Sequence, residues 1–212
     1  MAIFRVFFFL FFFLASGLAS TAYAQHIEQL FDEESTLDLS DSLYFLFETD
    51  YQLTISDVSR RRNDFLMHPH DNPNFGFRNN GMWLLTSVAN VSNEENWVFT
   101  INFSQLDSVD FYLVKNGKVI KQSHQGKAQK EQRFRVPTFR IELSDSDAVD
   151  LYIRIESRSS SLIAPLRIQA EPIHSSYFQA DSMLWGFFYG GLLILAIYNL
   201  ALFFGVREKC LI

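Results

Sequence analysis

From Met82 onward the chain alternates apolar and polar residues with a period of two. Trp97, Phe99, Ile101 and Phe103 interleave with Val98, Thr100 and Asn102, and Val109, Phe111 and Leu113 interleave with Asp110 and Tyr112. Val149, Leu151, Ile153 and Ile155 interleave with Asp150, Tyr152, Arg154 and Glu156, and Leu166, Ile168 and Ala170 form one more short run. Such alternation predicts strands with one face on a core. Asn116-Gly117 supplies a type I′ hairpin turn, because both residues tolerate positive φ, and Val119–Ser123 is the expected return strand. Pro137, between Val136 and the run Phe139, Ile141, Leu143, places that strand at an edge or a bulge. Seven or eight such strands with turn signals between them predict a mainly β fold, an antiparallel β-sandwich. No helical pattern of useful length separates the strands, so a βαβ fold is excluded.

Upstream the pattern is weaker. Residues 25–41 are acidic and read as a tether, and the sandwich is expected over 42–175, opening with a strand at Leu43–Phe47. Thr54-Ile-Ser-Asp57 has the form of a capping box and predicts a helical turn. Asn63–Gly81, with Pro69, Pro73, Gly76 and several Asn, reads as a long loop.

Both ends break the period. Met183–Val206 is 24 residues without a charge. As a helix it is roughly 36 Å long, enough to cross a hydrocarbon core of ~30 Å. It predicts a transmembrane α-helix, with 207–212 as a short stub. Residues 1–24 read as a signal peptide: Arg5, the run Val6–Leu14, and an A-x-A site at Ala22-Tyr23-Ala24. Arg207 and Lys209 follow the helix while Glu171 and Asp181 precede it. This positive-inside bias agrees with the signal peptide. Both place the main domain in the periplasm of a bacterial inner-membrane protein, with the carboxyl end cytoplasmic.

Composition narrows function. The net charge of −6 disfavours nucleic acid as a partner. The single cysteine, Cys210, lies beyond the membrane helix, so the middle region holds no disulfide or thiolate metal site. No nucleophile, phosphate-loop or zinc-protease motif occurs, and neither an enzymatic activity in this chain nor a cofactor is expected. His68-Pro69-His70-Asp71 is the only close set of metal-ligand types; its loop setting favours a solvated loop over a metal site. Arg60-Arg61-Arg62 reads as a solvated face. Trp97 belongs to the core. Trp83 shares a face with Leu85 and Ala89, which favours the core there too, although an indole also stacks on sugars. Arg135, Arg140 and Arg154 lie on expected outward faces, where convergence would hold a carboxylate or hydroxyl-rich ligand. Trp83, Arg135, Arg140 and Arg154 are therefore the candidate ligand-binding residues. In the membrane helix, Gly186 and Gly190 form a G-x-x-x-G, and Asn199 is costly in lipid without a partner. All three mark a face for packing against other helices; a homodimer is compatible with that.

Gly81-Met-Trp83, Asn90, Trp97-Val98, Leu106-Asp-Ser-Val109-Asp-Phe-Tyr-Leu113, Leu151-Tyr-Ile-Arg154-Ile and Pro165-Leu166 occur in an order that resembles a known family. It is the type 2 extracellular domain of bacterial 7TM receptors with diverse intracellular signalling modules (7TMR-DISM). Tyr44–Val58 resembles that domain's opening. Gly186-Phe-Phe-Tyr-Gly190-Gly, Ala196-Ile-Tyr198-Asn199-Leu and Arg207-Glu-Lys209 are similar to the first helix of its membrane module. The resemblance implies a jelly-roll sandwich, related to carbohydrate-binding modules, that senses a carbohydrate or other small ligand. It also implies further transmembrane helices leading to an output domain such as a diguanylate cyclase or histidine kinase. With one membrane helix, the chain is expected to be the sensing half of a longer receptor. The alternative is a structural or adhesive sandwich anchored by a single helix.

Overall fold

A computed structural model describes residues 26–31, 36–49, 52–69, 72–127 and 135–209. The signal peptide, His70, Asp71 and Cys210 lie outside the described residues. Among the described residues two sheets, with eleven strands, pack face to face and are followed by a long helix. The larger sheet has seven strands: β1 (Ile27–Leu30), β3 (Tyr44–Phe47), β4 (Leu66–Met67), β5 (Met82–Asn90), β7 (Ser108–Lys115), β8 (Lys118–Gln125) and β10 (Ala148–Glu156). The smaller has four: β2 (Leu37–Asp38), β6 (Asn96–Ile101), β9 (Thr138–Glu142) and β11 (Leu166–Ala170). Every pairing is antiparallel except β1 with β5. The segment expected as a tether thus contributes two strands, and Leu30 and Leu39 are buried in the core.

The period-two pattern maps onto the space between the sheets. Val109, Phe111 and Leu113 from β7, Leu151, Ile153 and Ile155 from β10, and Phe99 and Ile101 from β6 meet there. Phe111 stacks on Phe139 at 4.6 Å between centroids, with Phe99 5.5 Å from Phe111. Asn116 and Gly117 have φ of 51° and 73° and close the β7–β8 hairpin as expected. Pro137 immediately precedes β9, an edge strand of the smaller sheet, where its missing N–H costs no ladder bond.

Strand β5 is buried on both faces. Met82, Leu84 and Val88 face the main core, whereas Trp83 and Leu85 enter a second apolar cluster with Val114 and Tyr152. Leu53, Val58 and Phe65 complete that cluster from the segment between β3 and β4. This segment lies across the outer face of the larger sheet. It contains α1 (Ile55–Arg60), opened by the Thr54–Asp57 capping box, and a 3₁₀ turn at Arg62–Asp64. The capping box was legible in the sequence; the 3₁₀ turn and β4 occupy part of what read as loop.

Helix α2 runs from Glu171 to Lys209, starting directly after β11 with no intervening residue. Pro172 sits in its first turn, where its missing N–H is not needed. The helix is long and apolar enough to cross a membrane.

Candidate functional site

The covered outer face of the larger sheet carries a buried charge cluster. Arg154, on β10, is the ladder partner of Trp83 on β5 and of Asp110 on β7. Its outward position agrees with the alternation, but the side chain is only 7% exposed. Glu48, just after β3, reaches in to meet it. The contact is bidentate: Arg154 Nε and Nη2 each donate to Glu48 at 2.8 Å. Glu48 Oε1 also accepts from Trp83 Nε1 at 3.0 Å and from the Leu53 backbone at 3.2 Å. Gly81 makes room for the pair, since a Cβ there would stand 2.6 Å from both Arg154 Nη2 and Glu48 Oε2. Burial works against the Arg154 charge, but the hydrogen bonds and charge of Glu48, with Glu156 and Asp110, more than offset it and hold the guanidinium above its ordinary range.

The cluster opens to solvent on one side. Asp110 and Glu156 flank Arg154 Nη1 at 3.7 and 3.3 Å, and their side chains are about one-fifth exposed. His124 on β8 bonds Asp110 at 2.5 Å, and Arg158 bonds Glu156 at 3.0 Å. Tyr112, half-buried, stacks on Trp83 with centroids 5.7 Å apart. Its hydroxyl pKa is raised by burial and then by the Asp110 charge. Three carboxylates against two guanidiniums leave one net negative charge when His124 is neutral. In that state the strip would suit a polyol or a cation better than a carboxylate.

A second link pins the covering segment. Arg62 hydrogen-bonds Asp150, Ser87 and Tyr152 across the sheet. The Asp150 hydrogen bonds come first among the causes that raise its pKa. Arg60 and Arg61 pair locally with Asp57 and Asp64. The arginine run is thus two surface pairs and one strut; its sequence did not distinguish the third.

The remaining sequence candidates lie apart. Arg140, on β9 of the smaller sheet, pairs with Glu171 at the start of α2, at 2.9 Å. Arg135 precedes β9, with its guanidinium carbon 5.9 Å from the Trp185 ring. Trp83 and Arg154 meet through Glu48, while Arg135 and Arg140 do not join them. His68 is buried, its ring 4.9 Å from that of Phe75. In α2, a Cβ at Gly186 or Gly190 would meet nothing within 4 Å. Asn199 Nδ2 donates to the Leu195 carbonyl at 2.9 Å, one turn back. Sequence reasoning missed Glu48, Asp110, Glu156 and His124. For Asp110, His124 and Glu156 the signal was charge on strand faces opposite the core; Glu48, just after β3, carried none.

A concavity of about 310 Å³ lies where the sandwich meets α2, lined by Phe31, Asn93, Glu94, Trp97, Ala170, Pro172 and Ile173.

The fold is a two-sheet sandwich running straight into a helix long and apolar enough to cross a membrane. The model of the family described as "7TMR-DISM extracellular 2" matches residues 25–170, and the chain belongs to that family. It is the non-enzymatic extracellular sensor domain of a membrane receptor, on the periplasmic side of its membrane. No curated protein matches. A solved structure, that of beta-glucosidase from Kluyveromyces marxianus in complex with glucose, is similar at 14% identity with a TM-score of 0.34. The match covers 58% of this chain and 15% of that one, and it carries no functional argument.

Proposed function

We propose that the domain binds a small extracytoplasmic ligand and passes the event inward through α2 to further transmembrane helices and a cytoplasmic output domain. The observation that carries this reading is the continuity of β11 with α2. Ala170 is the last residue of a core strand and Glu171 the first of the helix, so no flexible linker absorbs a shift of the smaller sheet. Arg140 ties the same junction to β9. The half-exposed strip of Asp110, Tyr112, His124 and Glu156 is the ligand face. Its charge favours a carbohydrate or other polyol over a carboxylate. Gly186 and Gly190 offer a close-packing surface for the other membrane helices or for a second copy. The carboxyl end is cytoplasmic in this arrangement, which the positive-inside bias of Arg207 and Lys209 supports.

The test is thermal melting of the full chain in nanodiscs against a panel of neutral sugars and of carboxylates. A melting shift with a sugar that is lost in Asp110→Asn supports the reading. No shift with any compound sinks ligand sensing at this face.

A further inference from the structure

The concavity at the seam between sandwich and helix has its own chemistry. Trp97 and Ala170, both buried, come from β6 and β11, and Pro172 and Ile173 from the first turn of α2. Phe31, just past β1, closes the other side while 45% exposed. The indole N–H is already committed, since Trp97 Nε1 donates to the Glu94 carbonyl at 3.0 Å. The walls therefore offer apolar and ring surface.

The rim offers a charge. Glu94 is half-buried, and its Oε1 accepts the Asn96 N–H at 2.9 Å. Among the described residues it forms no ion pair. Glu171, on the first turn of the helix, is already paired with Arg140. A carboxylate with no ion-pair partner among the described residues, on a residue that lines an apolar hollow, matches a ligand with an apolar body and a cationic head.

Size and place narrow the occupant. A concavity of about 310 Å³ lies at the lower end of the ~300–1,000 Å³ range of small-molecule sites, which fits an aromatic ring with a short arm. Ile173 stands ten residues before Met183, roughly 15 Å of helix above the start of the apolar span. Counted from that apolar run, the hollow lies outside the hydrocarbon core, so an occupant from the aqueous side fits it.

We infer that the seam formed by Trp97, Ala170, Ile173, Phe31 and Glu94 is a binding site for a small amphiphilic amine. Its apolar group enters the hollow and its ammonium meets Glu94. The site is separate from the sheet face and stands or falls without it. That occupancy would bias the helix, because the ligand touches both the sandwich and α2, rests on the sensor reading.

The experiment uses the full chain in phosphatidylcholine nanodiscs, with empty nanodiscs as the partition control. Phenethylamine and 3-phenylpropionate, matched in ring and arm length, are titrated by calorimetry. Phenethylamine binds saturably, and 3-phenylpropionate at least about tenfold more weakly, as expected when one charge-assisted hydrogen bond is exchanged for repulsion. Glu94→Gln, on the rim, weakens the amine by about tenfold or more, and Ala170→Leu, which fills the hollow, removes binding. Equal binding of the two compounds, an amine affinity unchanged by Glu94→Gln, or no saturable binding to the wild type overturns the inference. A sugar-dependent melting shift that persists in Glu94→Gln shows that the sheet-face reading survives such a failure.

Discussion

The Glu48–Arg154 pair makes a quantitative test of how the outer face of the larger sheet is held. Both side chains are almost fully buried, 4% and 7% exposed. Removing one partner of such a pair strands the other charge away from water, at a cost of about 3–5 kcal/mol. The two deletions are not equivalent. Arg154→Met leaves the Glu48 carboxylate with only the Trp83 and Leu53 N–H donors, and leaves Asp110 and Glu156 facing it without their shared cation. Glu48→Gln leaves Arg154 still paired with Glu156 and Asp110, and its amide oxygen still accepts one hydrogen bond. Arg154→Met should therefore cost about 3–5 kcal/mol and Glu48→Gln about 1.5–3 kcal/mol. Against a typical domain stability of ~5–15 kcal/mol, the first places the domain near its threshold. The double variant should cost less than the sum, because each change removes the reason for the other's penalty. Urea unfolding of the full chain in nanodiscs reads this directly by Trp fluorescence, since Trp83 bonds to Glu48. A larger loss for Glu48→Gln than for Arg154→Met, or strict additivity in the double variant, would refute the buried-pair reasoning.

Gly81→Ala should cost more than ~1 kcal/mol in the same assay, because its Cβ drives into Arg154 and Glu48 and neither can retreat from the other. Thr54→Ala removes the side chain that accepts the Asp57 N–H at 3.3 Å and should cost about 1 kcal/mol; no change would mean that α1 is held by Val58 and Arg62 alone. Asp147 accepts from Lys115 Nζ at 2.7 Å, and that hydrogen bond, helped by the Lys115 charge and the Ser144 N–H, holds its carboxyl below the ordinary 3.8. A depressed folded-state pKa adds stability above the unfolded value and loses it as pH falls through the folded one. Acid unfolding below pH ~4 should thus be shallower in Asp147→Asn than in the wild type, and parallel curves would count against the link. Phe111→Ala, which opens the stack with Phe139 and Phe99, should cost about 3–5 kcal/mol; a value under ~1 kcal/mol would contradict the packing described.

The strands were legible because their residues face two different environments. Val109, Phe111 and Leu113 read correctly as core from period alone, as did the outward direction of Asp110, Tyr112 and Arg154. What period could not give was a second layer over an outward face. Met82 to Leu85 carries four apolar residues in a row, and a strand with both faces apolar must be covered on both. The cover is Leu53, Val58 and Phe65, scattered through a segment whose Asn, Pro and Arg content reads as loop. Arg154 consequently looked free to bind a ligand, and its partner Glu48 lies 106 positions away. Strand β1 was hidden for a related reason. Its pairing with β5 is parallel and distant in sequence, and only Leu30 of its four residues is buried. The seam concavity was invisible in the same way, since Phe31, Trp97 and Ile173 come together only once both sheets have closed.

These features bear together on how the proposed signal would reach the helix. The face that carries exposed charge belongs to the larger sheet, while the helix grows out of the smaller one. A ligand on the sheet face is therefore separated from α2 by the main core, where Phe111 of one sheet lies on Phe139 of the other. Cores packed like this shift as units rather than deform continuously. A displacement of β7 and β10 would reach β9 and β11 through that stack, and then α2 through Arg140–Glu171 and the Ala170–Glu171 peptide. The seam concavity sits at the end of this path. Trp97, Phe31 and Ile173 line it together, so an occupant there would bear on the first turn of α2 directly, whereas a sheet-face ligand would act through the core or through β1 and Phe31.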